Sequence, residues 1–368
     1  MPKPICYGIS SKLWYGLTRL FKSNLSLRSA THARQHQPVV IAVGGNSLAG
    51  AEKQTVRNIM ELAKSHRVVI THGNGPQVGD KLAGAEATGL VKSLGECTRE
   101  TQVEIGQELR EGMQKVSGLA FHALRPEVIQ TYVIVDPKDP AFQRPTKYIG
   151  QEFSWDEIGF SCTKGDNDLF NWHTGSLTYQ LKQVPGKPGI LRRVVPSPKP
   201  ISIHPDNLRD IKRAIFLGKM VIAAGGGGIP VLPDGSPVEA VIDKDLATAL
   251  LCREIKARSL IISTGVRHVA HNFQNPFQED ILYYQLQDAL WNLRRGQYPA
   301  GAMGEKIEAV INALRFGVNS ALITHPEARW INNEGTTITR GLDLSGRLYN
   351  LIRFTGLISR DLQRWLVT

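Results

Sequence analysis

Four times along this chain a short apolar run, rich in Val and Ile, ends in a turn of glycines and small residues, and this recurrence constrains the fold more than any other feature. Val39-Val40-Ile41-Ala42-Val43 runs into Gly44-Gly45-Asn46-Ser47, after which Val56, Ile59, Met60 and Leu62 follow at helical spacing. Val68-Val69-Ile70 leads into Thr71-His72-Gly73-Asn74-Gly75-Pro76-Gln77-Val78-Gly79. Met220 to Ala224 leads into Gly225-Gly226-Gly227-Gly228, and Leu260-Ile261-Ile262 into Ser263-Thr264-Gly265-Val266. Strands alternating with helices connect by right-handed crossovers, so the expected fold is α/β, with a mostly parallel sheet covered on both faces. Ligands in such sheets sit beyond the carboxyl ends of the strands, where these turns fall. The remaining periodicity predicts helices over 97–115, 207–217 and 278–294, and strands at Tyr132–Val135, Ala321–Ile323 and Thr336–Ile338.

The densest chemistry lies between residues 225 and 245. Four consecutive glycines leave backbone amides bare of side chains at a strand end, where they can face an anion. Behind them, Val241-Ile242-Asp243-Lys244-Asp245 places alternating charges at the start of a helical pattern through Leu246, Ala249 and Leu250. Amides that approach phosphate oxygens, a lysine that neutralises them and a carboxylate that holds the lysine or a metal form a phosphate site. Taken alone, the same segment also reads as a tight turn before a capped surface helix. His72 has no Ser, Cys or metal-ligand partner at motif spacing and reads as structural. Lys147 follows Asp139-Pro140-Ala141-Phe142 and Pro145-Thr146, too rich in proline for a regular element, so it is expected on a loop. There it either moves toward a ligand or is simply solvated.

Charge and cysteine content exclude other classes. Of the net charge of +11, residues 1–37 contribute +6 through Lys3, Lys12, Arg19, Lys22, Arg28 and Arg34, leaving +5 for the other 331 residues, with no basic run interleaved with aromatics. Nucleic-acid binding is therefore not expected. Cys6, Cys97, Cys162 and Cys252 are scattered without metal spacing or a disulfide framework, which points to a reducing compartment. No apolar run reaches the roughly 18 residues of a membrane span. Residues 1–37 are basic, free of Asp and Glu, and amphipathic, with Leu13, Trp14, Leu17, Leu20 and Phe21 on one helical face. That is the pattern of an organellar transit peptide, implying a mitochondrial or related matrix, or a cytoplasmic protein if the segment is instead a docked arm. Residues 151–191 lose periodicity and are expected to form a small protruding lid. Residues 340–368 carry Leu342, Leu344, Leu348, Leu351, Ile352, Phe354, Leu357, Ile358, Leu362, Trp365 and Leu366, interspersed with Arg347, Arg353, Arg360 and Arg364. This amphipathic extension contacts a partner, a second subunit, a membrane surface or the chain's own core.

The glycine turns, the Asp139–Lys147 segment, Val194-Val195-Pro196-Ser197-Pro198-Lys199-Pro200, Glu239 to Asp245 and Met303 to Lys306 occur in the order found in carbamate kinases, and the chain resembles that family from about Val39 to Ile338. The resemblance implies an amino-acid kinase domain over 38–339, an open αβα sandwich with a protruding subdomain, commonly a homodimer. It implies phosphoryl transfer between carbamoyl phosphate and ADP, giving ATP and carbamate, with Mg²⁺ accompanying the nucleotide, no tightly bound cofactor and no side chain assigned to metal. By motif, Lys244 and Lys306 resemble the lysines that bracket the transferring group, Asp243 the carboxylate that orders them, and Lys147 the mobile-loop lysine. Gly44, Gly45, Asn46, Gly73 and Asn74 resemble the carbamoyl and phosphoryl cradle, with Gly225, Gly226 and Gly227 on the phosphate side. Thr264 and Met303 join Lys244 and Lys306 toward the nucleotide. The pattern is broken at Leu94-Gly95 and Gln102-Val103, expected near the acceptor, at Tyr148 and Glu305 where prolines are usual, and around Arg267-His268. A related acid kinase with another acceptor and a catalytically silent regulatory homologue are the alternatives.

Overall fold

The computed structural model describes residues 37–341 apart from 45–51, 89, 91, 118, 167, 175–176 and 299–302. The transit-peptide segment up to residue 36, the amphipathic tail from 342 onward, and Gly45 and Asn46 of the expected cradle lie outside the described residues.

Eight strands form a central sheet in the order Tyr283–Gln285, Thr336–Thr339, Ser320–Thr324, Ser259–Ser263, Val39–Val43, Val68–His72, Val221–Ala223 and Glu127–Ile129. From Ser320–Thr324 to Glu127–Ile129 every neighbour is parallel, in agreement with the alternation of strands and helices. Thr336–Thr339 reverses direction and Tyr283–Gln285 runs alongside it. Period-two side-chain direction divides the apolar content of each strand between two layers. Val39, Ile41 and Val43 pack with Val56, Ile59, Ile105, Leu109 and Trp330. Val40 and Ala42 face Ala247, Leu250, Ile307 and Val310 on the other side. Helices Glu52–Ala63 and Leu94–Ser117 therefore cover one face, and Pro205–Phe216, Lys244–Glu254 and Met303–Arg315 the other. This is an open αβα sandwich. The long helix starts on a capping box: Ser93 Oγ accepts from Glu96 N at 3.1 Å, and Ser93 N donates to Glu96 Oε2 at 2.9 Å.

Beside the main sheet, strands Lys147–Ser154, Cys162–Lys164, Leu169–Thr174, Leu177–Gln183 and Ile190–Val195 form a five-stranded antiparallel sheet. It has its own small core of Ile158, Tyr179, Leu181 and Leu191, with Phe153, Phe170 and Trp172 packed against it. The stretch without clear periodicity is thus regular β-structure, its alternation blurred by half-buried aromatics, and it is wider than 151–191. Two sequence expectations need correction. Lys147 is not on a loop: it opens the first strand of this sheet, opposite Val195, because Pro145 ends the preceding irregular segment at the point where pairing begins. Residues 278–294 are not one helix: Glu279–Ile281 and Tyr283–Gln285 are strands, the second pairing with Thr337–Thr339, and the helix starts at Leu286. Tertiary pairing at the sheet edge outweighs the helical preference of the Gln and Glu residues there. Tyr132–Val135 is a strand as predicted, but it sits in a separate three-stranded sheet. Among the described residues no helix is long and apolar enough to cross a membrane.

Candidate active site

The carboxyl ends of four adjacent parallel strands supply one wall of a cleft of about 530 Å³: Gly44, Gly73, Thr264 and His325 all line it. Gly226 enters from the next strand end, and Lys147, Asp243, Lys244, Asp245, Glu305 and Lys306 close the opposite side. Ser263 also borders this space; it is fully buried, and its Oγ has no hydrogen-bond partner among the described residues.

Asp243 caps the Lys244–Glu254 helix, its Oδ1 accepting from Asp245 N at 2.9 Å and Leu246 N at 3.1 Å. Its other oxygen, Oδ2, accepts from Lys147 Nζ at 2.9 Å. Lys147 Nζ also donates to Glu305 Oε2 at 3.2 Å. Two residues on, Asp245 bridges the other two lysines, with Lys244 Nζ 2.5 Å from Oδ1 and Lys306 Nζ 3.0 Å from Oδ2. The four predicted catalytic side chains thus converge, and all three ammonium groups sit on two carboxylates at one helix start. Asp245, which the motif reading left without a role, is the hub; its signal was the alternation Asp-Lys-Asp at a helix N-terminus. Burial opposes ionisation of Asp243, but the Lys147 ammonium, the Glu305 carboxyl and the Leu246 N–H together outweigh it and hold this carboxyl well below the usual range. Glu305 is pushed up by burial and by the Asp243 charge, more than Lys147 pulls it down. Lys147 is raised: burial works against its charge and the two carboxylates prevail.

The glycine turn has a different function from the one expected of it. Gly226 alone of the four lines the cleft. Gly225 and Gly227 are buried and serve close packing: a Cβ on Gly225 would lie 2.3 Å from His72 Nε2, and one on Gly227 2.3 Å from the Ile242 carbonyl oxygen. Gly226 combines both functions, since its Cβ would fall 2.1 Å from Asn74 Nδ2 at φ +62°. The turn opens on Ala224 at φ 50°, left-handed backbone in a residue with a side chain. Asn74 is itself anchored, donating to Thr101 Oγ1 at 2.9 Å. His72 is structural, as its isolation in sequence implies: it is buried beneath the turn, Nδ1 lies 3.1 Å from Gly73 O, and burial lowers its pKa to about 4 against backbone contacts that favour the charged form.

Thr264 lines the cleft and its N–H donates to Thr324 O at 2.8 Å. Met303 is not among the residues lining the cleft; its side chain packs against the main core. Neither Gly95 nor Val103 is among the residues lining the cleft, and Val103 is 38% exposed. Tyr148 and Glu305, the two residues in place of prolines, do line it. No group of three or more His, Cys, Asp or Glu residues able to hold a metal exists among the described residues. Asp243 and Asp245 are both engaged by lysines.

The amino acid kinase family model matches residues 37–325. The carbamate kinase of Halobacterium salinarum is 36% identical over 309 residues, covering 78% of this chain and 92% of that protein. The carbamate kinase-like protein YahI of Escherichia coli is 38% identical over 312 residues, covering 78% and 93%. Among solved structures, the carbamate kinase from Giardia lamblia bound to AMP-PNP superposes with a TM-score of 0.67 at 30% identity, over 83% of this chain and 99% of that one. With a parallel αβα sheet, glycine turns at the strand ends and lysines gathered above them, the chain belongs to the amino acid kinase family of phosphotransferases, among its carbamate kinase-like members.

Proposed function

We propose that this protein transfers a phosphoryl group reversibly between carbamoyl phosphate and ADP. A terminal oxygen of ADP attacks phosphorus, the bond from phosphorus to the carbamoyl oxygen breaks, and carbamate leaves with the electron pair, decomposing to ammonia and carbon dioxide. The observation that carries this reading is the convergence of Lys147, Lys244 and Lys306 on one glycine-walled cleft. Phosphoryl transfer asks for in-line positioning and cationic stabilisation of equatorial oxygens rather than for covalent help. In the reverse direction carbamate already carries a nucleophilic oxyanion, so no base is needed. Bare backbone at Gly44, Gly73 and Gly226 admits the phosphoryl group closely, and Ser263 and Thr264 line the same cleft. The metal–nucleotide complex is the co-substrate, Mg²⁺ supplying charge neutralisation on its phosphates.

ATP formation from carbamoyl phosphate and ADP tests the reading. Lys244→Ala and Lys306→Ala each lower kcat by roughly a hundredfold, the effect of one lost transition-state contact. Full activity in both variants refutes the assigned roles. The second reading, an acid kinase with another acceptor, is favoured by Glu305 and Tyr148 in the cleft wall. Turnover of a carboxylate acceptor with ATP, with none of carbamoyl phosphate with ADP, decides for it. A homodimer and an organellar address complete the proposal, tested by sedimentation and by fusing residues 1–37 to a reporter.

A further inference from the structure

Three ammonium groups and three carboxylates face one another around the cleft, so the site is electrically balanced before any anion enters. Lys244 and Lys306 share Asp245, and Lys147 is held by Asp243 at 2.9 Å and by Glu305 at 3.2 Å. Asp243 is committed to its helix cap as well as to Lys147. Glu305 caps no helix: it lies on the first turn of the Met303–Arg315 helix, and its side chain meets the Lys147 ammonium and, carboxyl to carboxyl, Asp243. It is also 30% exposed, with room to withdraw, whereas Asp243 is 10% exposed. An incoming phosphoryl oxygen that is to reach Lys147 therefore meets the Glu305 carboxylate in its place.

We propose that Glu305 is a specificity-determining residue, an internal counter-anion that pairs with Lys147 in the cleft and has to yield it to the oxyanion of the substrate. The inference rests on the phosphotransferase reading and deepens it: Glu305 sets how strongly a given anionic charge is admitted. An ionised Glu305 weakens binding, while a protonated or displaced one frees an ammonium donor. Its raised pKa, set by burial and the neighbouring Asp243, brings the change closer to neutral pH than for an ordinary glutamate. The charged and titratable groups facing it are Lys147 from the lid strand, Asp243, Lys244 and Asp245 from the opposing helix start, Lys306 on its own helix and His325 from the sheet end.

Sulfate binding to the full chain, measured by calorimetry at pH 5.5 and 7.5, tests the idea, because sulfate mimics phosphate without itself titrating in that range. Wild type binds sulfate more tightly at pH 5.5. Glu305→Gln binds on the order of tenfold more tightly than wild type at pH 7.5, from removal of one nearby negative charge, and loses the part of the pH response that wild type owes to Glu305. His325→Gln keeps the wild-type response. Equal affinity and an equal pH response in wild type and Glu305→Gln overturn the proposal, as does a response that vanishes in His325→Gln and persists in Glu305→Gln. No reaction is read, so failure of carbamoyl phosphate turnover and failure of this test are separate results.

Discussion

Replacing Asp245 by Asn puts the greatest demand on the reading of the cleft. The carboxylate is 2% exposed and neutralises Lys244 through one oxygen and Lys306 through the other. An asparagine keeps the shape and one acceptor, but its NH₂ group then points at an ammonium, so one lysine loses its partner in a site where both lysines are under 20% exposed. Removing one partner of a buried pair costs about 3–5 kcal/mol, because the remaining charge is left without compensation. Asp245→Asn is therefore expected to unfold at a clearly lower denaturant concentration and to lose about a hundredfold or more in kcat, since an ammonium no longer held in place does not meet the transferring group. Adding Lys306→Met to the same chain removes the unpaired charge, so part of the stability returns while the rate stays low. Urea melts and the ATP-forming assay on the single and double variants give both quantities. An Asp245→Asn protein with wild-type midpoint and rate, or a double variant less stable than the single, refutes the hub assigned to this residue.

Three further outcomes are expected. His72 has a folded pKa of about 4 against its ordinary 6.5, so the unfolded chain takes up the proton first. Its contribution to stability is full above pH 6.5 and falls by about 3 kcal/mol by pH 4, a slope reduced in His72→Gln by urea melts across that range. Gly226→Ala places a methyl group at φ +62° and 2.1 Å from Asn74, costing about 3 kcal/mol and weakening phosphate binding. Gly84→Ala, where the methyl meets nothing within 4 Å on an exposed helix face, leaves the melting temperature unchanged or slightly raised and serves as the matched control. Asp243→Asn keeps the helix cap and Asp243→Ala does not, so their stabilities differ by about 1 kcal/mol. Both free Lys147 and slow turnover, and equal melts for the two variants would remove the capping role.

What the amino-acid order decided by itself was local in origin. Val39–Val43 and Val68–His72 are strands because β-branched runs bounded by small residues have few other uses, and their parallel pairing follows from the helices that intervene. The cleft's position followed with them, since the turns lie at the strand ends, and Lys147, Lys244 and Lys306 were legible by motif. The tertiary structure alone decided what each charge meets. Lys147 reaches Asp243 across 96 positions and Glu305 across 158, and those distances in sequence are closed only by the crossovers and by the lid sheet that carries Lys147. It likewise decided that Gly225 and Gly227 are spacers against His72 and Ile242, that Gly95 and Val103 stand outside the cleft, and that Met303 turns to the core. Local sequence sets backbone preference and side-chain period, whereas the partner of a charge, or the atom a missing Cβ would strike, is set by elements that become neighbours only once the sheet has closed.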